Sequence, residues 1–289
     1  MSEASLDWAN DDAGYCMSAF HSTLALMHTQ SMSKPRQFLK LRKRLTRRSR
    51  VTTATIFTPM NPAETPEEHF PLQTVYPRAS EPRFVNRYDS HEILLVVDGS
   101  CVNNGSVSRI PKAGCSFAYK EYRKPQVYTY VDIDQLGDPH DGPGAVGFAL
   151  ERINSEGEPL AANSNRAKLR AVIAALDYRE WQTEGWRRII VATDLEYVVF
   201  GATRWLPIWA KRRWRTTKHR PVANRDLWEE LHGSLCKLAR VGTQVSFWLI
   251  SSRDAIKEAS VLMRDTKNLA KDVAVETSEV VGPEVEVVG

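Results

Sequence analysis

The sequence lacks the features that would mark a membrane protein or a disulfide-stabilised domain. None of its apolar runs reaches 18 residues, the length needed to span a bilayer. Its four cysteines are widely scattered and form no C-x-x-C pair, so we expect neither a disulfide scaffold nor a cysteine zinc site. Acids precede the first Lys or Arg, which argues against a secretory or organelle-targeting segment. We therefore expect an intracellular protein, nuclear or cytoplasmic, that does not enter a membrane.

Negative charge is missing from a long stretch near the N-terminus. No acid lies between Asp12 and Glu64, and nine of the seventeen residues in 34–50 are Lys or Arg. Pro, Thr and Glu dominate the residues that follow, without a helical or strand period. We predict that residues 1–88 form a mostly disordered arm and that residues 273–289 form an acidic tail. The basic run is compatible with nuclear import, with binding to nucleic acid or with a solvated linker.

Residues 89–272 carry the pattern of a folded domain. Apolar runs predict five strands, at residues 91–98, 113–119, 145–150, 188–194 and 244–250. The apolar spacing predicts helices at residues 163–181, 224–240 and 254–272, with shorter helices through residues 195–210. The polar segment 122–144 is rich in Gly, Pro and Asp and is expected to loop out. This order predicts an α/β domain with a mixed five-stranded sheet flanked by helices.

Two of the predicted strands end in an acid. Asp98 closes the first strand and Asp194 closes the fourth. If these strands are parallel neighbours, both carboxylates emerge at the carboxyl edge of the sheet, where open α/β sheets place ligands. Paired carboxylates repel one another, and a divalent cation such as Mg²⁺ or Mn²⁺ relieves the repulsion. The alternative is that both acids simply begin turns.

Three blocks of the sequence resemble signatures of the type 1 ribonuclease H domain. They are DGSCVNNG at 98–105, SNRAKLRA at 164–171 and ATDLEYVV at 192–199. Further blocks resemble the fungal-type branch of that family, at residues 205–214, 221–228 and 247–250. The resemblance spans roughly residues 90–272 and implies the ribonuclease H-like fold.

The resemblance also implies a function and a set of site residues. Members of the family cut the RNA strand of RNA–DNA hybrids with four carboxylates and two Mg²⁺ ions, which clamp the attacking and leaving oxygens. Asp98 and Asp194 match two of the four acids. The family Glu falls on Lys168 and the last family Asp on Ser260, although a shift of register would bring in Glu258 instead. Two of the four metal ligands are therefore expected to be absent, which leaves a degenerate magnesium site.

Lys168 is the residue on which this expectation depends. An ammonium offers hydrogen-bond donors only and cannot bind a cation. At about 4 Å from a carboxylate, with an effective dielectric constant near 20, its attraction is about 4 kcal/mol before desolvation is subtracted. We predict that Lys168 pairs with Asp98 and Asp194 and repels an incoming Mg²⁺. Two alternatives stay open: a solvated Lys168, or retained metal-assisted hydrolysis.

Other residues are candidates for binding nucleic acid. Asn104 and Asn165 match positions with which the family contacts the minor groove of a hybrid, although turn or cap duty is equally compatible with them. Residues 205–220 interleave three Trp with six Lys or Arg, a composition that tracks phosphates and stacks on bases. In this segment the expected contacts are Arg212, Arg213, Trp214 and Arg215, whereas Trp205 and Trp209 are expected in the core.

These observations favour one function and leave two others open. The favoured one is a divergent ribonuclease H-like protein that binds an RNA–DNA hybrid or double-stranded RNA and is catalytically inactive or strongly impaired. The first alternative is an active metal-dependent hybrid endonuclease that holds Mg²⁺ with Asp98, Asp194 and Glu258. The second is a protein-interaction scaffold, which would have no affinity for nucleic acid.

Overall fold

The computed structural model of the protein describes residues 54–75, 81–106, 109–121, 126–128, 144–154, 157–251 and 255–276. Most of the predicted arm and nearly all of the predicted tail lie outside these residues. The strands within them are β1 Thr55–Ile56, β2 Leu72–Gln73, β3 Arg83–Phe84, β4 Glu92–Val102, β5 Lys112–Ala118, β6 Gln126–Tyr128, β7 Ala145–Ala149, β8 Arg188–Thr193 and β9 Gln244–Leu249. The helices are α1 Pro66–His69, α2 Ser164–Asp177, α3 Glu196–Phe200, α4 Leu206–Lys211, α5 Arg225–Arg240, α6 Ala255–Ala259 and α7 Val261–Glu276.

Seven of these strands form one mixed sheet in the order β1-β9-β8-β4-β5-β7-β6. The strands β1, β9, β8 and β4 run parallel to one another, whereas β5 is antiparallel to both β4 and β7. The predicted α/β class, with a mixed sheet and flanking helices, is confirmed. The sheet has two more strands than the five predicted, because β1 and β6 add to its edges. Edge strands of two or three residues are held by backbone pairing on one side and leave no apolar period in the sequence.

The helix α2 lies between the sheet and α5, so it is buried on every side. All residues from Arg166 to Leu176 are buried, including the polar ones. On the opposite face of the sheet, α7 packs against β4, β5 and β7. The sheet therefore has helices on both faces, α2 and α5 on one and α7 on the other.

The boundary predicted at residue 88 needs correction. Residues 54–75 and 81–88, which we call the strap, pack against the domain instead of belonging to a disordered arm. Strand β1 pairs with β9, and the rings of Phe57 and Phe70 lie 5.3 and 6.1 Å from that of Trp248. Arg83 is buried and reaches the carboxylate of Glu184 at 2.9 Å. The sequence of the strap has no apolar period because its elements are short and are held by a few large side chains, such as Phe57, Phe70 and Arg83.

The C-terminal boundary and the closing helix also differ from the prediction. The single helix predicted over 254–272 is two helices, α6 and α7, which meet at Ser260. The second continues to Glu276, and its residues Val273 and Ala274 are buried. None of the helices in the described ranges is long and apolar enough to cross a membrane.

Candidate functional site

The acids Asp98 and Asp194 lie on adjacent parallel strands. Val96 of β4 is aligned with Ala192 of β8, so the two acids fall at the same level two residues further on. Asp98 is still within β4, and Asp194 is the first residue after β8. Both side chains are nearly buried, with 5% and 10% of their surface exposed. The two acids are thus neighbours on parallel strands, but Asp98 does not close its strand as the sequence predicted, because β4 continues to Val102.

Close packing of α2 on β4 brings Lys168 to this pair. A Cβ atom on Gly99 would lie 2.5 Å from the backbone carbon of Ala167, so only glycine allows the helix to sit this near the strand. The Lys168 Nζ lies 2.9 Å from Oδ1 of Asp98 and also donates to Oδ1 of Asp194. The side chain of Lys168 is 11% exposed, so it is not the solvated lysine of the alternative interpretation.

A second lysine, which the sequence analysis missed, completes the cluster. The ammonium of Lys257 on α6 donates a hydrogen bond to Oδ2 of Asp194, and the Lys257 side chain is 14% exposed. The contact joins residues 63 positions apart through a five-residue helix. No motif or period in the sequence signals such a contact. Asp194 therefore binds one ammonium with each of its two oxygens.

The pKa values in the cluster reflect this mixture of burial and charge. Burial raises the pKa of Asp98 above its usual value, and the attraction of Lys168 offsets that effect only in part. Burial also opposes the charge of Asp194, but Lys168 and Lys257 together lower its pKa. Burial alone would lower the pKa of Lys168, whereas the two carboxylates raise it. The lysine is accordingly a permanent cation at neutral pH.

These residues do not fit a divalent cation of the kind that the family resemblance implies. Mg²⁺ requires several oxygen ligands in near-octahedral geometry. Across the described part of the chain, no group of three or more His, Cys, Asp and Glu side chains could hold a metal ion. At the acid pair, the position between the carboxylates is taken by the Lys168 ammonium, which repels cations and offers them no lone pair.

The structure directs Ser260 away from the acid pair. Its hydroxyl donates to Oε2 of Glu67 on the strap at 2.7 Å and accepts the amide of Met263 at 3.1 Å, so it caps α7. Glu258, the alternative ligand, is exposed. The closing helix instead approaches the site at Thr266, six residues further along. The hydroxyl of Ser116, the cross-strand partner of Asp98, donates to the carbonyl of Thr266 at 2.6 Å.

A cavity of about 260 Å³ opens beside α2. It brings together both predicted asparagines, Asn104 and Asn165, with the following further residues: Asn163, Ser164, Tyr197, Ala223 and Asn224. The side chain of Asn163 accepts the amide of Arg166 at 2.8 Å, so cap duty falls on Asn163 and not on Asn165. The lining is neutral and rich in amides and hydroxyls, a chemistry suited to sugar hydroxyls, base edges and phosphate oxygens.

The wall of this cavity is fixed by Tyr197. The indole nitrogen of Trp228 donates to the Tyr197 hydroxyl at 2.8 Å, and that hydroxyl donates to the carbonyl of Ala223 at 3.2 Å. The amide of Asn224 also reaches the hydroxyl, at 3.4 Å. The sequence analysis did not single out Tyr197 or Asn224, because only the tertiary fold brings α3 and the start of α5 together.

The basic segment presents its charges outward. Arg212, Arg213 and Arg215 are exposed. Trp214 is half-buried and packs edge-on against His232, with 6.3 Å between the ring centroids. Trp209 is buried, 5.3 Å from Trp228 between ring centroids, as expected for a core residue. The segment therefore exposes three arginines next to a half-buried Trp214.

Comparison with known proteins identifies relatives of the domain. A family model described as RNase H matches residues 90–245. The ribonuclease H of Citrobacter koseri is 39% identical over 115 residues, which cover 38% of this chain and 70% of the relative. The ribonuclease H of Salmonella newport gives the same values. One solved structure, LC9-RNase H1, is 25% identical with a TM-score of 0.40, and the match covers 63% of this chain and 72% of that one. The acid pair, Lys168 and the cavity lie inside the matched range, whereas Lys257, Ser260 and the strap lie outside it.

Proposed function

Because the chain belongs to the ribonuclease H family, we propose that it binds RNA–DNA hybrids. We also propose that it has lost the metal-dependent cleavage of the family, because Lys168 occupies the position of a metal ligand. The observation that carries this proposal is the ammonium of Lys168 between Asp98 and Asp194, bonded to both. One side chain thus removes a ligand and fills the position between the two acids with positive charge.

Loss of cleavage follows from the chemistry of the pair. Hydrolysis of a phosphodiester in this family needs a cation that activates water and stabilises the leaving oxygen. An ammonium held by two carboxylates can stabilise negative charge, but it cannot bind water as a Lewis acid and lower its pKa. The Asp98 carboxylate, buried and bonded to Lys168, is also poorly placed to act as a base toward water from solvent.

Binding is supported by surfaces that do not depend on the acid pair. The cavity with Asn104, Asn165 and Asn224 offers donors and acceptors that match the 2′-hydroxyls and base edges of a minor groove. The exposed arginines at 212, 213 and 215 can neutralise phosphates. Double-stranded RNA presents the same groups, and a hybrid is favoured because it is the substrate class of the family.

A cleavage assay tests the first half of the proposal. A labelled RNA–DNA hybrid is incubated with the full chain in Mg²⁺ or Mn²⁺, with an active ribonuclease H as the positive control. We expect no cleavage product beyond the background of the buffer. Metal-dependent cutting would contradict the proposal and support the alternative of an active endonuclease. That alternative requires the Lys168 side chain to leave the acid pair.

A binding assay tests the second half. The dissociation constant for a hybrid should rise steeply with salt, because phosphate contacts release counterions. The variant Arg212→Gln/Arg213→Gln should reduce the slope of log K against log salt by about 1 to 2. Lys271→Gln, which removes an exposed charge from α7, is the matched control and should leave the slope unchanged. Absence of hybrid binding at low salt would favour the protein-interaction scaffold.

A further inference from the structure

The acid pair and its two lysines form one cluster whose charges balance. Asp98 and Asp194 bring two negative charges, and Lys168 and Lys257 bring two positive ones. All four side chains are largely buried, and the contacts connect them without a gap. Lys257 lies beyond residues 90–245, the range that the family model matches.

This balance has a consequence for a bound nucleic acid. The backbone of a hybrid is a row of negative phosphates, and two uncompensated carboxylates at the binding face would repel it. A divalent cation is the usual means of removing such repulsion. Resting on the proposed function, we propose that the lysine pair makes hybrid binding independent of divalent cations, and that Lys257 completes the balance begun by Lys168.

The strap contacts the junction between α6 and α7, close to Lys257. The helix α6 has only five residues and ends where α7 begins, at Ser260. At this junction Glu67 accepts the Ser260 hydroxyl with one oxygen and the Val261 amide with the other, both at 2.7 Å. The junction lies one helical turn from Lys257. Glu67 is therefore a positioning residue, which acts on the acid pair through Lys257.

The experiment compares hybrid binding by the full chain in EDTA and in millimolar Mg²⁺ at equal ionic strength. Fluorescence anisotropy with an end-labelled hybrid gives the ratio of the two dissociation constants. For the native chain we expect binding in EDTA to be as tight as in Mg²⁺, within about two-fold. For Lys257→Gln we expect binding in EDTA to be at least about five-fold weaker than in Mg²⁺, because one carboxylate charge is left uncompensated.

Three further variants make the result specific. Lys271→Gln removes an equal charge from an exposed position and should keep the native ratio. Glu67→Ala should shift the ratio in the direction of Lys257→Gln, and the double variant Glu67→Ala/Lys257→Gln should shift it no further, as expected for a residue that acts through Lys257. Circular dichroism confirms that each variant is folded.

The outcomes separate this inference from the proposed function. If the native chain binds the hybrid only in Mg²⁺, or if Lys257→Gln keeps the native ratio, the inference is wrong and the proposed function stands. If the native chain binds the hybrid in neither buffer, the proposed function itself is wrong.

Discussion

The Nζ atom of Lys168 lies 2.9 Å from Oδ1 of Asp98, and both side chains are largely buried. The lysine is in the first turns of α2 and the acid is in the middle strand of the sheet. Their contact exists because Gly99 lets the helix backbone approach the strand. The following experiments test this contact, the core around it and the strap that supports it.

Removal of the Lys168 charge should destabilise the protein. In Lys168→Met the side chain keeps its length, but Asp98 is left as a buried carboxylate without its partner. We expect the free energy of unfolding to fall by about 3 kcal/mol at neutral pH. Urea denaturation measures the change, and Lys271→Met on the exposed face is the control. A loss below about 0.5 kcal/mol would mean that Lys168 is solvated.

Reversal of the charge at position 168 should create a cation site. Lys168→Glu places a third carboxylate beside Asp98 and Asp194, a set of oxygen ligands that suits Mn²⁺. We expect Mn²⁺ to raise the melting temperature of this variant and to leave that of the native chain unchanged. Mn²⁺ at 100 times its dissociation constant would raise the free energy of unfolding of the variant by about 2.7 kcal/mol. Equal responses of the variant and the native chain would show that Lys168 does not decide metal binding, and Lys271→Glu controls for added charge.

Gly201 lies directly under an indole ring, so its substitution should disrupt the core. A Cβ atom there would lie 2.1 Å from the ring of Trp228, which is fully buried. We expect Gly201→Ala to lower the free energy of unfolding by about 3 kcal/mol. Gly233 is the matched control: it lies inside α5, and nothing stands within 4 Å of its missing Cβ. Gly233→Ala should stabilise the protein by about 0.5 to 1 kcal/mol, and thermal melts of both variants would show opposite shifts.

The strap should contribute to stability through the cap that Glu67 provides. Its carboxylate accepts hydrogen bonds at the N-terminus of α7, where negative charge is also favoured by the helix dipole. We expect Glu67→Ala to cost about 1 kcal/mol in chemical denaturation. Glu258→Ala removes an exposed acid from the preceding helix and should cost less than half of that. Equal effects of the two substitutions would argue against a cap.

His232 gives the stability a dependence on pH. Burial beneath Trp214 lowers the pKa of His232 below its usual value, so the unfolded chain binds a proton more readily than the folded one. The contribution of the neutral, half-buried His232 to the free energy of unfolding is fully present above the pKa of the unfolded state, near 6.5. It is lost as the pH falls below that value, because the unfolded chain then takes up a proton. His232→Gln should therefore lose less stability than the native chain between about pH 7.5 and 5.5. His219→Gln, at an exposed position, serves as the control, and parallel curves for native chain and His232→Gln would contradict the prediction.

Several features of the protein were determined by its sequence alone. The five central strands and the long helices could be predicted because apolar periodicity reflects burial over whole elements. Asp98 and Asp194 could be located because each follows an apolar run, and the parallel order of β4 and β8 brings them together. Lys168 could be located because its block resembles a signature of the ribonuclease H family. The prediction that an ammonium between two carboxylates repels a cation then follows from charge alone.

Only the tertiary structure decided the rest. Lys257 reaches Asp194 across 63 residues, and Arg83 of the strap reaches Glu184 across 101, each through one pair of side chains. Single contacts of this kind leave no period and no motif, because nothing in the neighbouring sequence has to change to allow them. The same holds for Ser260, whose direction is set by Glu67 on a separate segment. Local patterns therefore specified the five central strands and the acid pair, whereas the packing of distant segments determined the edge strands and the second lysine of the cluster.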